Sequence, residues 1–162
     1  MSAPEYDTPT APRPSSRTAH ARDACVDVII PVYRGLGETR ACIESVLHSR
    51  VRTRAQIIVI NDASPEPALA RYLRGLGGAV TVLENDANLG FVATVNRGMA
   101  LHPARDVLLL NSDTVVANDW LDRMVRAAWS DPRIASVTPF SNNATICSYP
   151  NFCEDNSLPD GY

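Results

Sequence analysis

Three side chains capable of chemistry stand just behind apolar runs in this chain. Asp113 closes the polar cluster Asn111-Ser112-Asp113-Thr114, which follows the unbroken run Val107-Leu108-Leu109-Leu110. Asp62 follows Ile57-Ile58-Val59-Ile60-Asn61, and Tyr33 follows Val26-Asp27-Val28-Ile29-Ile30-Pro31-Val32. Runs of this kind fit strands buried on both faces of a parallel sheet covered by helices. A polar side chain just past such a strand lies at the carboxyl edge, where open α/β sheets bind ligands. The expectation is one rim that carries Tyr33, Asp62 and Asp113.

The elements that must position this rim alternate along the chain. Strands are predicted over 26–32, 56–61, 79–84, 106–111 and 134–138. Helices are predicted over 37–49 with Ile43, Val46 and Leu47 inward, over 66–75, over 90–102 with Phe91, Val95 and Met99 inward, and over 118–130 with a Leu121, Met124, Val125, Ala128 stripe. Strands alternating with crossover helices give an α/β fold, a mostly parallel, doubly wound sheet with helices on both faces. Residues 1–23, rich in Pro, Ser, Thr and Ala, are expected to form a disordered tail, 24–140 the folded domain, and 141–162 an irregular C-terminal segment.

Composition narrows the classes of function. At 162 residues, 45% hydrophobic and 20% charged, the chain suits one globular domain. A net charge of −3 gives no reason to expect nucleic acid as a partner, and no apolar run reaches the ~20 residues of a membrane span. With no apolar N-terminal core of the secretory type, a cytoplasmic location is expected. All 15 basic residues are arginine, which removes Schiff-base chemistry, a lysine P-loop and a receiver domain with an essential lysine. Cys25, Cys42, Cys147 and Cys153 lack metal-ligand spacing, so thiols are the default reading, with a Cys147–Cys153 bridge the alternative.

Four segments, in order and in register, resemble the family 2 glycosyltransferases. They are Val28-Ile29-Ile30-Pro31-Val32-Tyr33; Ile58-Val59-Ile60-Asn61-Asp62-Ala63-Ser64; Asn88-Leu89-Gly90-Phe91 running to Asn96-Arg97-Gly98; and Leu109-Leu110-Asn111-Ser112-Asp113-Thr114. The resemblance covers about residues 26–140. It implies the Rossmann-related GT-A fold, a nucleotide-diphosphate sugar as donor, a saccharide or lipid-linked saccharide hydroxyl as acceptor, and Mg²⁺ or Mn²⁺. The segment Val137-Thr138-Pro139-Phe140-Ser141-Asn142-Asn143 looks like bacterial members that act in surface polysaccharide assembly.

The resemblance gives each matched residue a role, and each also has a plainer reading. Tyr33 would border the base, with the backbone of Pro31 and Val32 at its edge; alternatively Tyr33 packs on the following helix. Asp62 would accept the imide N–H of a uracil-type base, or else form an Asx turn over Asp62-Ala63-Ser64. Asn88 and Gly90, with Asn96 and Arg97, would line the nucleotide and sugar, although capping and packing explain Asn88 and Gly90 equally well. Asn96 is kept because a polar residue inside an otherwise apolar helix needs a reason. Asp113 matches the last acid of a D-x-D-like motif and would bind the cation, which needs few protein carboxylates besides phosphates and water. The first motif position is Asn111 rather than Asp, with Ser112 between, so affinity for metal without nucleotide should be weak. A solvated turn is the plainer reading of Asp113.

An inverting transferase needs a general base for the acceptor hydroxyl. In the family that carboxylate lies beyond a further strand, a pattern not met before Tyr162. Asp155, in the pair Glu154-Asp155, is the candidate here, and a solvated loop is the plainer reading. The chain is therefore expected to be the nucleotide-sugar half of a transferase, completed by a C-terminal half or a partner. One rival is a catalytically inactive nucleotide-sugar-binding module. Another is a dinucleotide oxidoreductase, for which Gly35-Leu36-Gly37-Glu38-Thr39-Arg40 has Arg in place of the third glycine.

Overall fold

The computed structural model describes residues 25–142 and 147–157. The proposed N-terminal tail, Asn143 and the last five residues lie outside the described residues. Strands β1 (Val26–Val32), β2 (Ala55–Asn61), β3 (Val80–Glu84) and β4 (Val107–Leu109) form one parallel sheet in the order β3-β2-β1-β4. The helices are α1 (Leu36–His48), α2 (Pro67–Arg74), α3 (Gly90–Met99) and α4 (Trp120–Ala128).

The winding explains which helix covers which face. From β1 the chain steps outward to β2 and β3, then returns past β1 to β4. Right-handed crossovers put helices on opposite faces when the direction of travel reverses. Val28, Ile30, Val32, Val59, Leu108 and Leu110 pack with Cys42, Ile43 and Val46 of α1, Leu69 and Leu73 of α2, and Leu121 of α4. The other face carries Ile29, Ile58 and Ile60, and there Gly98 of α3 lies against Ile29 and Ile60. The α/β class, the parallel sheet and helices on both faces are thus as expected. Strand direction puts every carboxyl end on one edge. At the opposite, amino edge, Asp27 is fully buried and is held by His102 at 2.7 Å and Arg105 at 2.9 Å.

Several expectations are corrected. No strand forms over 134–138 among the described residues; only Ile134 and Val137 there are half-buried, and the small residues between them bury too little to hold a strand. β4 ends at Leu109 rather than 111, because the chain turns once Leu110 has donated its N–H to the Ile29 carbonyl. Nor is its run buried on both faces: Leu109 is 47% exposed. In α1, Leu47 is exposed, and Thr39 and Cys42 join Ile43 and Val46 in the core. In α3, Phe91 and Met99 are exposed, while Thr94, Val95 and Gly98 face the sheet. Close approach at Gly98 sets that rotation, since a Cβ there would lie 2.9 Å from Ile60 Cδ1. No disulfide joins Cys147 to Cys153 among the described residues.

Candidate functional site

The strand order reverses between β1 and β4. In open α/β sheets, the crevice outside the carboxyl ends at such a switch point is the usual ligand site. Tyr33 leaves β1 on one side of this crevice, and Asn111-Ser112-Asp113 follows β4 on the other. Tyr33 is exposed, and the Arg34 guanidinium lies 5.3 Å from its ring centroid. Behind it Gly35 turns with φ 88°, and its N–H donates to the Glu66 carboxylate at 3.2 Å. Pro31 is half-buried and Val32 buried; the Val32 carbonyl already accepts the Asp62 N–H at 2.8 Å. That bond puts Asp62 beside the end of β1.

Asp62 is only 4% exposed and is surrounded by donors. Its Oδ1 accepts from Asn85 Nδ2 at 2.7 Å and the Leu89 N–H at 2.8 Å, and its Oδ2 accepts from the Gly90 N–H at 2.9 Å. The carboxylate thereby caps the start of α3 from another element, where a negative charge also meets the positive end of the helix dipole. Burial alone would raise the Asp62 carboxyl pKa, but the hydrogen bonds from Leu89, Asn85, Thr94 and Gly90 outweigh it and hold the group below its ordinary value. The Asx turn that was the plainer reading of Asp62 is not what its carboxylate makes; the bend is held by Asn61, whose Oδ1 accepts the Ser64 N–H at 2.9 Å. Asn88 makes a local cap: its Oδ1 accepts the same Gly90 N–H, at 2.9 Å.

Asn85 is the member of this group that sequence reasoning missed. It is buried just past β3, bonds Asp62 and Thr94 through Nδ2, and accepts from Arg97 Nη1 through Oδ1. Its signal was available, a polar residue directly behind the apolar strand ending Val82-Leu83-Glu84. Asn96 lies on the exposed side of α3, so the argument from a polar residue in an apolar interior applies to Thr94 instead.

On the β4 side, Asn111 and Asp113 are exposed and Ser112 is half-buried. The Thr114 N–H closes a turn onto the Asn111 carbonyl at 3.2 Å. Beneath this turn lies the Cys42 thiol, whose Sγ donates to the Asn111 carbonyl at 3.4 Å. Burial, opposed by the Thr114 N–H and assisted by the nearby Asp113 charge, pushes that thiol up to about 11, so it stays protonated and able to donate. No three His, Cys, Asp or Glu side chains gather as a metal cluster among the described residues. One exposed carboxylate flanked by amide and hydroxyl oxygens suits a hard cation that takes its other ligands from phosphate and water. Asp155 is exposed on the 147–157 segment, whose hydrogen bonds run from Asn156 and Tyr149 back to Asn142 and Ser141.

A parallel sheet with helices on both faces, its switch-point crevice flanked by exposed Tyr33 on one wall and the Asn111-Ser112-Asp113 turn on the other, has the α/β architecture of the GT-A type. The chain belongs to glycosyl transferase family 2, whose family model matches residues 27–149. It is 29% identical over 108 residues to the uncharacterized glycosyltransferase YibD of Escherichia coli, covering 65% of this chain and 31% of that protein. It is 31% identical over 107 residues to the uncharacterized protein y4gI of Sinorhizobium fredii, covering 64% of this chain and 12% of that one. The chain thus spans less than a third of the length of these curated relatives. Among solved structures, a mannosyltransferase from Pyrobaculum calidifontis in complex with GDP-Man and Mn²⁺ superposes with a TM-score of 0.54 at 22% identity, covering 66% of this chain and 32% of that one. That likeness supports the fold. Among the described residues no helix is long and apolar enough to cross a membrane.

Proposed function

We propose that this domain binds a nucleotide-diphosphate sugar in the β1/β4 crevice and serves glycosyl transfer to a hydroxyl of a saccharide or lipid-linked saccharide. The observation that carries the reading is the placement of exposed Tyr33 and Asp113 on the two walls of the switch point in a family 2 chain. Tyr33 borders the base, with the backbone of Pro31 and Val32 beneath it. Asp62 Oδ2 accepts the Gly90 N–H, and the imide N–H of the base would be a further donor to this carboxylate. Asn88, Gly90 and Asn96 belong to the segment that flanks the nucleotide and sugar. Asp113, with Asn111 and Ser112 beside it, would hold Mg²⁺ or Mn²⁺. When bound, such a cation takes up negative charge on the departing diphosphate. The Mn²⁺ and GDP-Man of the Pyrobaculum structure agree with this donor chemistry.

The general base is assigned to the additional length that the curated relatives have, or to a partner, rather than to Asp155. The biological setting we favour is bacterial surface polysaccharide synthesis, in line with the bacterial sources of the relatives. Calorimetric titration with UDP, dTDP and GDP, with and without Mn²⁺, tests the reading. One nucleotide should bind in a metal-dependent way, and Asp113→Ala should weaken that binding at least about tenfold, roughly the 1.4 kcal/mol of one charge-assisted contact. Binding by the folded wild type that ignores both metal and Asp113 would overturn the metal assignment, and no binding at all would overturn the site.

A further inference from the structure

Asp113 stands on a turn that the sheet does not hold. β4 ends at Leu109, and the ladder's last bond is the Leu110 N–H to the Ile29 carbonyl. Two side chains of α1 take over from there. The fully buried Cys42 thiol donates to the Asn111 carbonyl at 3.4 Å. Three residues on, along the same face of the helix, Ser45 Oγ accepts the Val116 N–H at 3.0 Å while donating to the Cys42 carbonyl at 2.7 Å. The loop is thus pinned at residues 111 and 116, with Asp113 on the span between.

We infer that Cys42 and Ser45 are positioning residues for the Asp113 carboxylate, an inference that rests on the reading of Asp113 as the cation-binding group. A cation attached through a single protein carboxylate owes its placement to that carboxylate, so whatever fixes the turn sets the gain that metal adds to nucleotide binding. The same helix follows directly on the turn that bears Tyr33. α1 therefore links the two walls of the crevice, and the register between base and diphosphate positions is built into one rigid element. Core filling alone would explain a buried cysteine. It does not explain a thiol and a hydroxyl three residues apart, each bonded to backbone of the same loop.

The test compares Cys42→Ala, Ser45→Ala and Cys42→Ser with wild type. It measures the ratio of nucleotide affinities with and without Mn²⁺, using whichever of UDP, dTDP and GDP the wild type binds, together with amide exchange at Thr114 and Val116. Each alanine variant should cut the Mn²⁺ gain about fivefold, the factor one hydrogen bond is worth. Metal-free nucleotide affinity should stay within about twofold of wild type, because that term does not pass through Asp113. Cys42→Ser keeps a donor and should recover most of the gain. Exchange at Thr114 should quicken in Cys42→Ala, and at Val116 in Ser45→Ala, the milder change should the buried cysteine prove too costly to replace. A metal gain that survives both alanine variants overturns the positioning role alone. A wild type without any metal gain overturns the reading of Asp113 and this inference with it.

Discussion

Asp62 and Asp113 are both carboxylates just past apolar strands, yet their surroundings give them different work. Asp62 is buried among donors and caps the start of α3, whereas Asp113 is exposed. Three donors to Asp62 come from positions 23 to 28 residues away, which is why the sequence marks Asp62 and Gly90 but neither their bond nor Asn85. Because hydrogen bonding holds the folded pKa of Asp62 below its ordinary value, its contribution to stability is present above the unfolded pKa, near 3.9, and is lost as pH falls through the lower folded value. Asp62→Asn replaces a charged acceptor with a weaker one and should cost about 1–3 kcal/mol at pH 7. Urea denaturation should show that gap holding at pH 5 and closing below about pH 4. A gap independent of pH would mean that the charge is not what stabilises the cap. Asp113→Ala, by contrast, should change stability by less than about 0.5 kcal/mol.

At the scale of elements, the sequence located β1, β2, β3 and the helices to within a few residues, because apolar runs and spacing mark an element even where its inward face is misread. It failed where size was mistaken for depth. In α3 the largest apolar residues, Phe91 and Met99, were expected inward, but the helix instead turns its small residues, Thr94 and Gly98, onto the sheet. A hydrophobic pattern records which residues prefer burial, not how closely two backbones approach. The approach is tight here, since a Cβ on Gly98 would meet Ile29 atoms at 3.0 Å as well as Ile60. Gly98→Val should therefore cost about 1–3 kcal/mol by overpacking. It should also push α3 off the sheet, loosening the Asp62 cap, so a lower denaturation midpoint should come with faster exchange at Leu89 and Gly90. Unchanged exchange there would uncouple the packing of α3 from its cap. The strand over 134–138 failed for a related reason, since two separated aliphatics carry a pattern but bury little area.

At the scale of the molecule, the two faces of the sheet are covered unequally. Among the described residues α1, α2 and α4 pack on one face, while only α3 lies over β1 and β2 on the other. Arg97 of α3 reaches the Glu84 carbonyl at 2.6 Å, which orients that flank toward β3. At ~100° per residue, Val92 and Met99 fall on the opposite flank, toward β4. Both are exposed, as is Leu109 on the neighbouring strand, and among the described residues β4 pairs only with β1. An unpaired strand edge beside exposed apolar side chains favours association. The described domain should thus gain apparent mass with concentration in analytical ultracentrifugation. Leu109→Lys, which sets a charge on the exposed face next to the edge, should suppress that gain with little loss of stability, because the native side chain is already 47% exposed. If the variant associates as strongly as wild type, the contact lies elsewhere on the molecule. If it also loses stability by several kcal/mol, Leu109 belongs to the core despite its exposure.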